Sequence, residues 1–407
     1  MTNDCSSATP PKPPSLPRVA VVHPGLGLGG SESPVLWTLQ ALSQDYHVTL
    51  ITTGEVDLRG LNDYYGTHLQ PQDFSVQIAP LPIGLRNTVK FVGLKGSFFQ
   101  RHVRHVAPDF DVMISCYGPM DFGRRGIQMI ADFAFVEEWR FSLHPGVRSW
   151  KQWWYGGSPL RRLYLTTCGK INGAKPGGWK RNLNLANSDW SAKLLHARFG
   201  VESRTLYPPV ENDFPSVPFA ERDNGFVCLG RISAEKRVDA IIEILARVRR
   251  RGHDIHLHIL GGVDDSPFGV RVKNLAGQNR DWVYLEGWAV GEAKKELLAS
   301  HRYGIHAREN EPFGIAVGEM VNAGCIVFVP NGGGQVEIVN HPDLVFRDDA
   351  DAVEKIDAVL KSESEQETLR LHLRNSVSRF SPESFVGQVQ EVVSEFVQQG
   401  KGIEVRP

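Results

Sequence analysis

The 407-residue sequence predicts an α/β protein of two doubly wound domains facing each other across a cleft. Three observations carry that expectation. The chain is longer than one ordinary core organises. Short β-branched apolar runs alternate with helical stretches, first in one half and again in the other, which is the pattern of parallel sheets covered by helices. Between the halves stands Tyr207-Pro208-Pro209-Val210, and two consecutive prolines continue neither a helix nor a central strand.

Taken in order, residues 1–17 are rich in Pro and Ser with little to bury, and read as a disordered leader. The fold begins at Arg18. RVAVVHPG reads as a strand closed by Pro and Gly, LWTLQALSQ as a helix and YHVTLITTG as a second buried strand. DVMISCY and IQMIADF continue the series, and NLNLANSDWSAKLLHARFG reads as a strand followed by a capped helix. After the prolines, GFVCLGRI, IHLHILGG, WVYLEGW, YGIHA and IVFVP are strands, AIIEILARVRRRGH is a helix, and a further helix runs through Val317 and Met320. The amphipathic ESFVGQVQEVVSEFV is expected to cross back and brace the first domain. The resulting division is 1–17, 18–207, 208–385 and a C-terminal helix in 386–407.

Composition sets bounds on function. Hydrophobic residues make up 41% and charged residues 22%, so most of the chain has enough to bury. No run of about 18 apolar residues occurs and the N-terminus lacks the apolar core of a signal peptide, which makes the cytosol the expected compartment, with peripheral contact at the inner face of a membrane. The five cysteines are scattered without a Cys-x-x-Cys pair, so neither a zinc site nor a disulfide framework is expected. Net charge is −1, but residues 1–210 hold 22 Lys and Arg against 15 Asp and Glu, leaving 23 against 31 for the rest. A basic first half suits an anionic acceptor or membrane surface, or serves only solubility.

Four segments carry candidate chemistry. Gly25, Gly27 and Gly30 stand at dinucleotide-binding spacing between the first strand and a helix, where small residues let phosphate reach backbone N–H groups. The next strand ends in Thr52-Thr53-Gly54 rather than a ribose-binding acid, which argues against a nicotinamide enzyme. Gly230-Arg231-Ile232-Ser233-Ala234-Glu235-Lys236 leaves the first strand of the second half, so Arg231 and Lys236 are placed to converge on a diphosphate; a solvated turn paired with Glu235 is the plainer alternative. In Glu309-Asn310-Glu311-Pro312-Phe313-Gly314-Ile315-Ala316-Val317-Gly318-Glu319, the Pro and Gly mark a loop. Glu311 is expected before a helix and Glu319 in its second turn, both toward one cleft, with helix-start amides near Phe313 and Gly314 meeting negative charge. Gly332-Gly333-Gly334 opens a short helix and reads as a further anion cradle or as a flexible loop.

Together, Gly29-Gly30-Ser31-Glu32, Gly230-Arg231 with Lys236, Glu311 and Glu319 around Phe313-Gly314, and the 332–334 turn have an order and spacing that resembles the retaining family-four glycosyltransferases, over nearly all of residues 18–395. VVHPGLGLGGSE, LYPPV and YGIHARENEPFGIAVGEMVNAG look like the GDP-mannose-dependent mannosyltransferases of lipid-linked oligosaccharide synthesis. The resemblance implies the GT-B architecture, two Rossmann-like domains, with the acceptor on residues 18–207 and the donor on 208–385. Arg231 and Lys236 would bind the donor diphosphate, Glu319 the ribose and Glu311 the sugar hydroxyls. Gly230, Phe313, Gly314 and Ile315 would complete the donor pocket, while amides of Gly29 and Gly30 would close over the phosphates.

The same resemblance implies a GDP- or UDP-linked sugar as co-substrate, no further cofactor, a glycan, lipid-linked or small-molecule acceptor, and no nucleic acid. Transfer would retain the anomeric configuration by front-face attack, without a metal, since no acidic cluster adjoins the phosphate site. Asp264-Asp265 and Asp348-Asp349 read as turn and helix-start residues. One departure stands out. Family members carry a His in the stretch that here reads Ile127 to Phe133; Asp132 is the nearest polar candidate for the catalytic acceptor side, with His144 further on. A nucleotide-sugar epimerase on the same architecture and a catalytically weak nucleotide-sugar-binding protein are the alternative functions.

Two further segments bear on the acceptor. Residues 86–106 read as a basic amphipathic helix for an anionic membrane or as an ordinary helix burying its phenylalanines. Trp150, Trp153, Trp154 and Tyr155 form an aromatic patch for sugars or a membrane interface, or a loop of core aromatics.

Overall fold

The structure, a computed structural model, describes residues 16–86, 91–133, 135–136 and 158–403. The leader through residue 15, His144 and the Trp150 to Tyr155 patch lie outside the described residues.

The first sheet holds β1 (Arg18–Val22), β2 (His47–Thr52), β3 (Ser75–Ile78), β4 (Val112–Ser115), β5 (Ile127–Ile130), β6 (Leu183–Ala186) and β7 (Arg204–Thr205), in the order β3-β2-β1-β4-β5-β6-β7. The second holds β8 (Asp223–Leu229), β9 (His256–Leu260), β10 (Val283–Gly287), β11 (His301–Ile305), β12 (Ile326–Pro330) and β13 (Val345–Phe346), in the order β10-β9-β8-β11-β12-β13. Every strand pair is parallel. Parallel strands covered on both faces need near-continuous apolar runs, and Val19 through Val22 and Ile326 through Val329 are fully buried.

In each sheet the chain order reverses beside the first strand, between β1 and β4 and between β8 and β11. Ligands of open α/β sheets bind at the carboxyl ends of strands flanking such a reversal. The glycine loop leaves β1, the Arg231 loop leaves β8 and the Glu311 loop leaves β11.

Contacts between the halves fix how the two strand ends face. Ser188 caps the helix Asp189–Phe199 by accepting from Ser191 N, and its hydroxyl donates to the Pro312 carbonyl at 2.6 Å. The Glu337 carboxylate accepts from Asp189 N, Trp190 N and the Tyr207 hydroxyl, a negative group at a helix N-terminus where it is stabilised. The last helix, Pro382–Ile403, starts earlier than residue 386 because Ser381 caps it, its hydroxyl accepting from Ser384 N. Phe385, Val389, Val392, Val393 and Phe396 recur along that helix at the spacing of one face and enter the core of the first sheet beside Leu36 and Leu39.

The helix Val92–Val106 turns out mixed. Phe99, Val103 and Val106 enter the first-sheet core and Arg104 is paired with buried Asp121, while Phe91 and Val92 at its start are exposed.

Candidate active site

Between the two sets of strand ends lies a cavity of about 1400 Å³, walled on one side by the glycine loop, Tyr64, Tyr65 and Asp132, and on the other by Gly230, Arg231, Lys236, Glu311, Phe313 to Ile315 and Glu319. A single small molecule needs about 300–1,000 Å³, so the space accommodates a large donor with an acceptor beside it. The walls meet at Gly30 and Ile315: a methyl on Gly30 would lie 3.5 Å from Ile315 Cδ1.

Glu311 is the centre of the second wall. Its carboxylate receives Lys236 Nζ at 2.5 Å, Arg308 Nη1 at 3.1 Å and His306 Nε2 at 3.3 Å. Burial would push the Glu311 carboxyl up, but Lys236, the His306 hydrogen bond and Arg308 outweigh it and hold it well below the usual carboxylate range. Burial lowers His306, leaving it neutral with its proton on Nε2 when it donates to Glu311. A buried carboxylate with these partners stays ionised and in place, ready to accept hydrogen bonds.

The loop that carries it is braced from behind. Gly334 N donates to Glu311 O, Glu311 bridges Gly333 as an isolated pair, and Gln335 Nε2 donates to the carbonyls of Arg308 and Gly332. Gly333 has φ +83°, and a Cβ there would meet Glu311 O at 2.2 Å. The glycine run at 332–334, which in sequence reads as an anion cradle or a flexible loop, does not line the cavity. Its Gly334 amide and the close packing of Gly333 hold Glu311 instead.

Arg231 and Lys236 both line the cavity but do different things. The Lys236 side chain is half-buried against Glu311, whereas the Arg231 side chain is exposed and lies 3.8 Å from Glu235. The expected convergence of the two cations is therefore absent from this arrangement; Arg231 stands at the rim. Gly230 at φ +134° makes the turn that launches the loop, a region that favours glycine. Gly314 at φ +103° starts the helix Ile315–Asn322, and Phe313 anchors it from the core beside Tyr207 and Phe380.

Glu319 lies in the second turn of that helix and accepts from Lys294 Nζ at 2.9 Å. Burial would lower Lys294; the Glu319 charge and hydrogen bond overcome it and raise the amine. Lys294 also sits 5.9 Å over the Tyr64 ring of the opposite wall.

On the first wall the glycine loop is clamped rather than open. Tyr65 Oη accepts from Gly29 N at 2.8 Å and lies 2.7 Å from Gly29 O and 2.9 Å from Gly27 O. Glu32 folds beneath, so that a Cβ on Gly29 would stand 2.8 Å from its Oε2. Of the two amides expected to meet phosphate, that of Gly29 is thus taken by Tyr65. Asp132, exposed after β5, faces the cavity, while Gln128 in the same stretch is fully buried in hydrogen bonds with Met120 N, Asn182 and Asn184.

The sequence reading missed His306, Arg308, Lys294 and Tyr65. His306 and Arg308 stand in the quoted YGIHARENEPFG and could have been found as hydrogen-bond donors flanking Glu311. Lys294 and Tyr65 gave no local signal, since their partners are remote in sequence.

The chain is similar to known glycosyltransferases in sequence and in fold. Residues 209–375 match the family described as Glycosyl transferases group 1. The mouse GDP-Man:Man(3)GlcNAc(2)-PP-Dol alpha-1,2-mannosyltransferase is 21% identical over 90% of this chain and 84% of its own length. The human Alpha-1,3/1,6-mannosyltransferase ALG2 is 24% identical over 94% of this chain and 96% of its own. Among solved structures, WaaG, a glycosyltransferase involved in lipopolysaccharide biosynthesis, superposes with a TM-score of 0.67 at 15% identity, covering 92% of this chain and 99% of WaaG. Sucrose-phosphate synthase from Thermosynechococcus elongatus gives 0.69 at 13% identity, covering 94% and 100%.

The fold is that of the GT-B glycosyltransferases. The chain is a glycosyltransferase whose residues 209–375 match the group 1 model, and the curated relatives named above are mannosyltransferases. The transferase reading is thereby favoured over the epimerase.

Proposed function

We propose that the protein transfers mannose, with retention of anomeric configuration and without a metal, from GDP-mannose to a lipid-linked glycan. The observation that carries the reading is the buried Glu311 carboxylate held ionised by Lys236, Arg308 and His306 at the base of the cleft. The relatives' names supply the donor and the kind of acceptor.

Lys236 is shared between Glu311 and the donor diphosphate, with Arg231 swinging in from the rim. Glu311 accepts hydrogen bonds from the sugar hydroxyls. Glu319, steadied by Lys294 through Oε1, offers its other oxygen to the ribose, and Gly230, Phe313, Gly314 and Ile315 shape the donor pocket around them. Gly29 and Gly30 cover the phosphates from the opposite wall once the Tyr65 clamp yields. The acceptor hydroxyl, oriented by Asp132, attacks the anomeric carbon from the face of the departing diphosphate. The bond from that carbon to the phosphate oxygen breaks as the new glycosidic bond forms, and the hydroxyl proton passes to the leaving phosphate oxygen. Stabilising that leaving charge is the largest catalytic term, and the cations supply it where other transferases use a metal.

Acceptor delivery involves the domain boundaries assigned above, residues 18–207 for the acceptor and 208–385 for the donor, and a peripheral membrane contact. No described helix is long and apolar enough to cross a membrane. The helices Val92–Val106 and Pro159–Asn172 pack together, with Leu94 N donating to the Tyr164 hydroxyl, and near their starts Phe91, Val92, Leu160 and Leu163 are exposed together with basic Arg86 and Arg162. Exposed apolar groups ringed by basic ones suit an anionic lipid surface.

The test is product analysis with GDP-mannose and a short-chain polyprenyl diphosphate glycan, in EDTA. The expected result is acceptor-dependent release of GDP and an α-linked mannoside. GDP release unchanged by the acceptor, a new nucleotide sugar, or activity restored only by a divalent ion would overturn the corresponding part of the reading.

A further inference from the structure

At the end of the second sheet opposite the cleft, three imidazoles meet. His256 and His258 are alternate residues of β9 and so share one face of the sheet, and His301 opens β11. Strand β8 runs between β9 and β11, yet His256 Nε2 lies 3.0 Å from His301 Nε2 across it. That contact exists because β8 carries Gly225 in register with His256: a Cβ at Gly225 would stand 2.2 Å from His256 Nε2. One ligand nitrogen from each of the three rings falls within 4.8 Å of the others.

We propose that His256, His258 and His301 form a binding site for a borderline divalent cation, zinc in the first instance, that ties β9 to β11 across β8. Three nitrogens at about 2.0–2.1 Å from a tetrahedral zinc stand about 3.3 Å apart, so the rings need only small adjustments to close on an ion. The outer nitrogens of two of the rings are already directed as metal-bound imidazoles require. His301 Nδ1 is 2.7 Å from Leu297 O, which leaves Nε2 inward, and His258 Nδ1 is 2.7 Å from the Glu286 carboxylate. Tyr284, stacked on His258 at 4.8 Å, walls the site, and the partial exposure of His258 and Glu286 leaves a fourth position to water.

The site is separate from the proposed chemistry. His256 and His301 begin their strands, whereas Leu260 and His306, at or just past the far ends, line the cleft; four or five residues of strand amount to roughly 16 Å. The ion would act on stability, not on sugar transfer.

The experiment uses the full chain stripped with a chelator and dialysed, then titrated with Zn²⁺ and, separately, with Co²⁺. Saturable binding of one Zn²⁺ per chain is expected, with a rise in Tm and, with Co²⁺, the intense visible absorption of a tetrahedral site. His258→Ala should abolish both responses while the Tm shift given by GDP persists, which shows that the variant is folded. Glu286→Gln should weaken Zn²⁺ binding about 10-fold. Absence of saturable binding by the wild type, or binding equally strong in His258→Ala, overturns the proposal. If His258→Ala does not fold, the Co²⁺ spectrum of the wild type decides: an octahedral spectrum, or none, overturns it.

Discussion

The two walls of the cleft are built in opposite ways. The second wall is a preset charge network in which Glu311 is buried among Lys236, Arg308 and His306, and Lys294 holds Glu319. The first wall is mostly backbone and aromatic, a glycine loop latched by the Tyr65 hydroxyl, with Asp132 exposed at the edge of the space. Charges buried in a fixed arrangement lose little on binding and stay directed at one ligand. A latched loop and an exposed carboxylate suit a partner that arrives later and varies more. On the proposed reading, the donor belongs to the second wall and the acceptor to the first.

Substitutions should separate the walls. The largest effect is expected at Glu311: Glu311→Gln keeps the shape, removes the charge that Lys236, Arg308 and His306 surround, and should lower kcat about 10³-fold, some 4 kcal/mol. Steady-state rates with a saturating donor measure this, and a loss under tenfold would remove Glu311 from the chemistry. Asp132→Asn should lower kcat about 10- to 100-fold and raise the acceptor KM while leaving donor affinity alone; a weaker donor instead would move Asp132 to the other side of the cleft. Glu319→Ala is expected to cost about 10-fold in nucleotide affinity, measured by calorimetry, and an unchanged affinity would end the ribose assignment.

The smallest effect concerns acid. The Glu311 carboxyl is held well below its ordinary value of 4.5, so the ionised form contributes stability that is complete above that value and is lost as pH falls toward the lowered one. Asp121 behaves alike: burial would raise it, but the Gly123 and Lys175 amides with Arg104 and Arg181 lower it. Melting temperature should therefore decline below about pH 4.5, and Glu311→Gln should flatten part of that decline. An identical acid slope in wild type and variant would mean that the Glu311 network is not stabilising.

Much of the frame was legible because it rests on local signals. Apolar runs such as Val19 to Val22 marked the buried parallel strands, and Pro208-Pro209 marked the passage between sheets. Short edge strands escaped, since β7 and β13 are two residues each and their hydrogen bonds depend on neighbours. Within the cleft, the position of Glu311 was readable from Pro312 and Gly314, but its pairing with Lys236 joins residues 75 apart. The role of the glycine run at 332–334 stayed open for a related reason: a glycine needed for close packing on Glu311 O looks the same in sequence as one needed to approach phosphate. The imidazole cluster shows half its hand in His256-Leu257-His258, and the rest depends on His301, 45 residues away from His256.

The most direct test is calorimetric titration of GDP-mannose, GDP and UDP into the wild type, Lys236→Ala and Asp132→Ala. The account predicts that the wild type prefers the guanine nucleotides, that Lys236→Ala weakens GDP-mannose about 100-fold, near 2.7 kcal/mol, and that Asp132→Ala changes it less than about twofold. Donor affinity untouched by Lys236→Ala, or equal losses in the two variants, would contradict the division of the cleft into a donor wall and an acceptor wall.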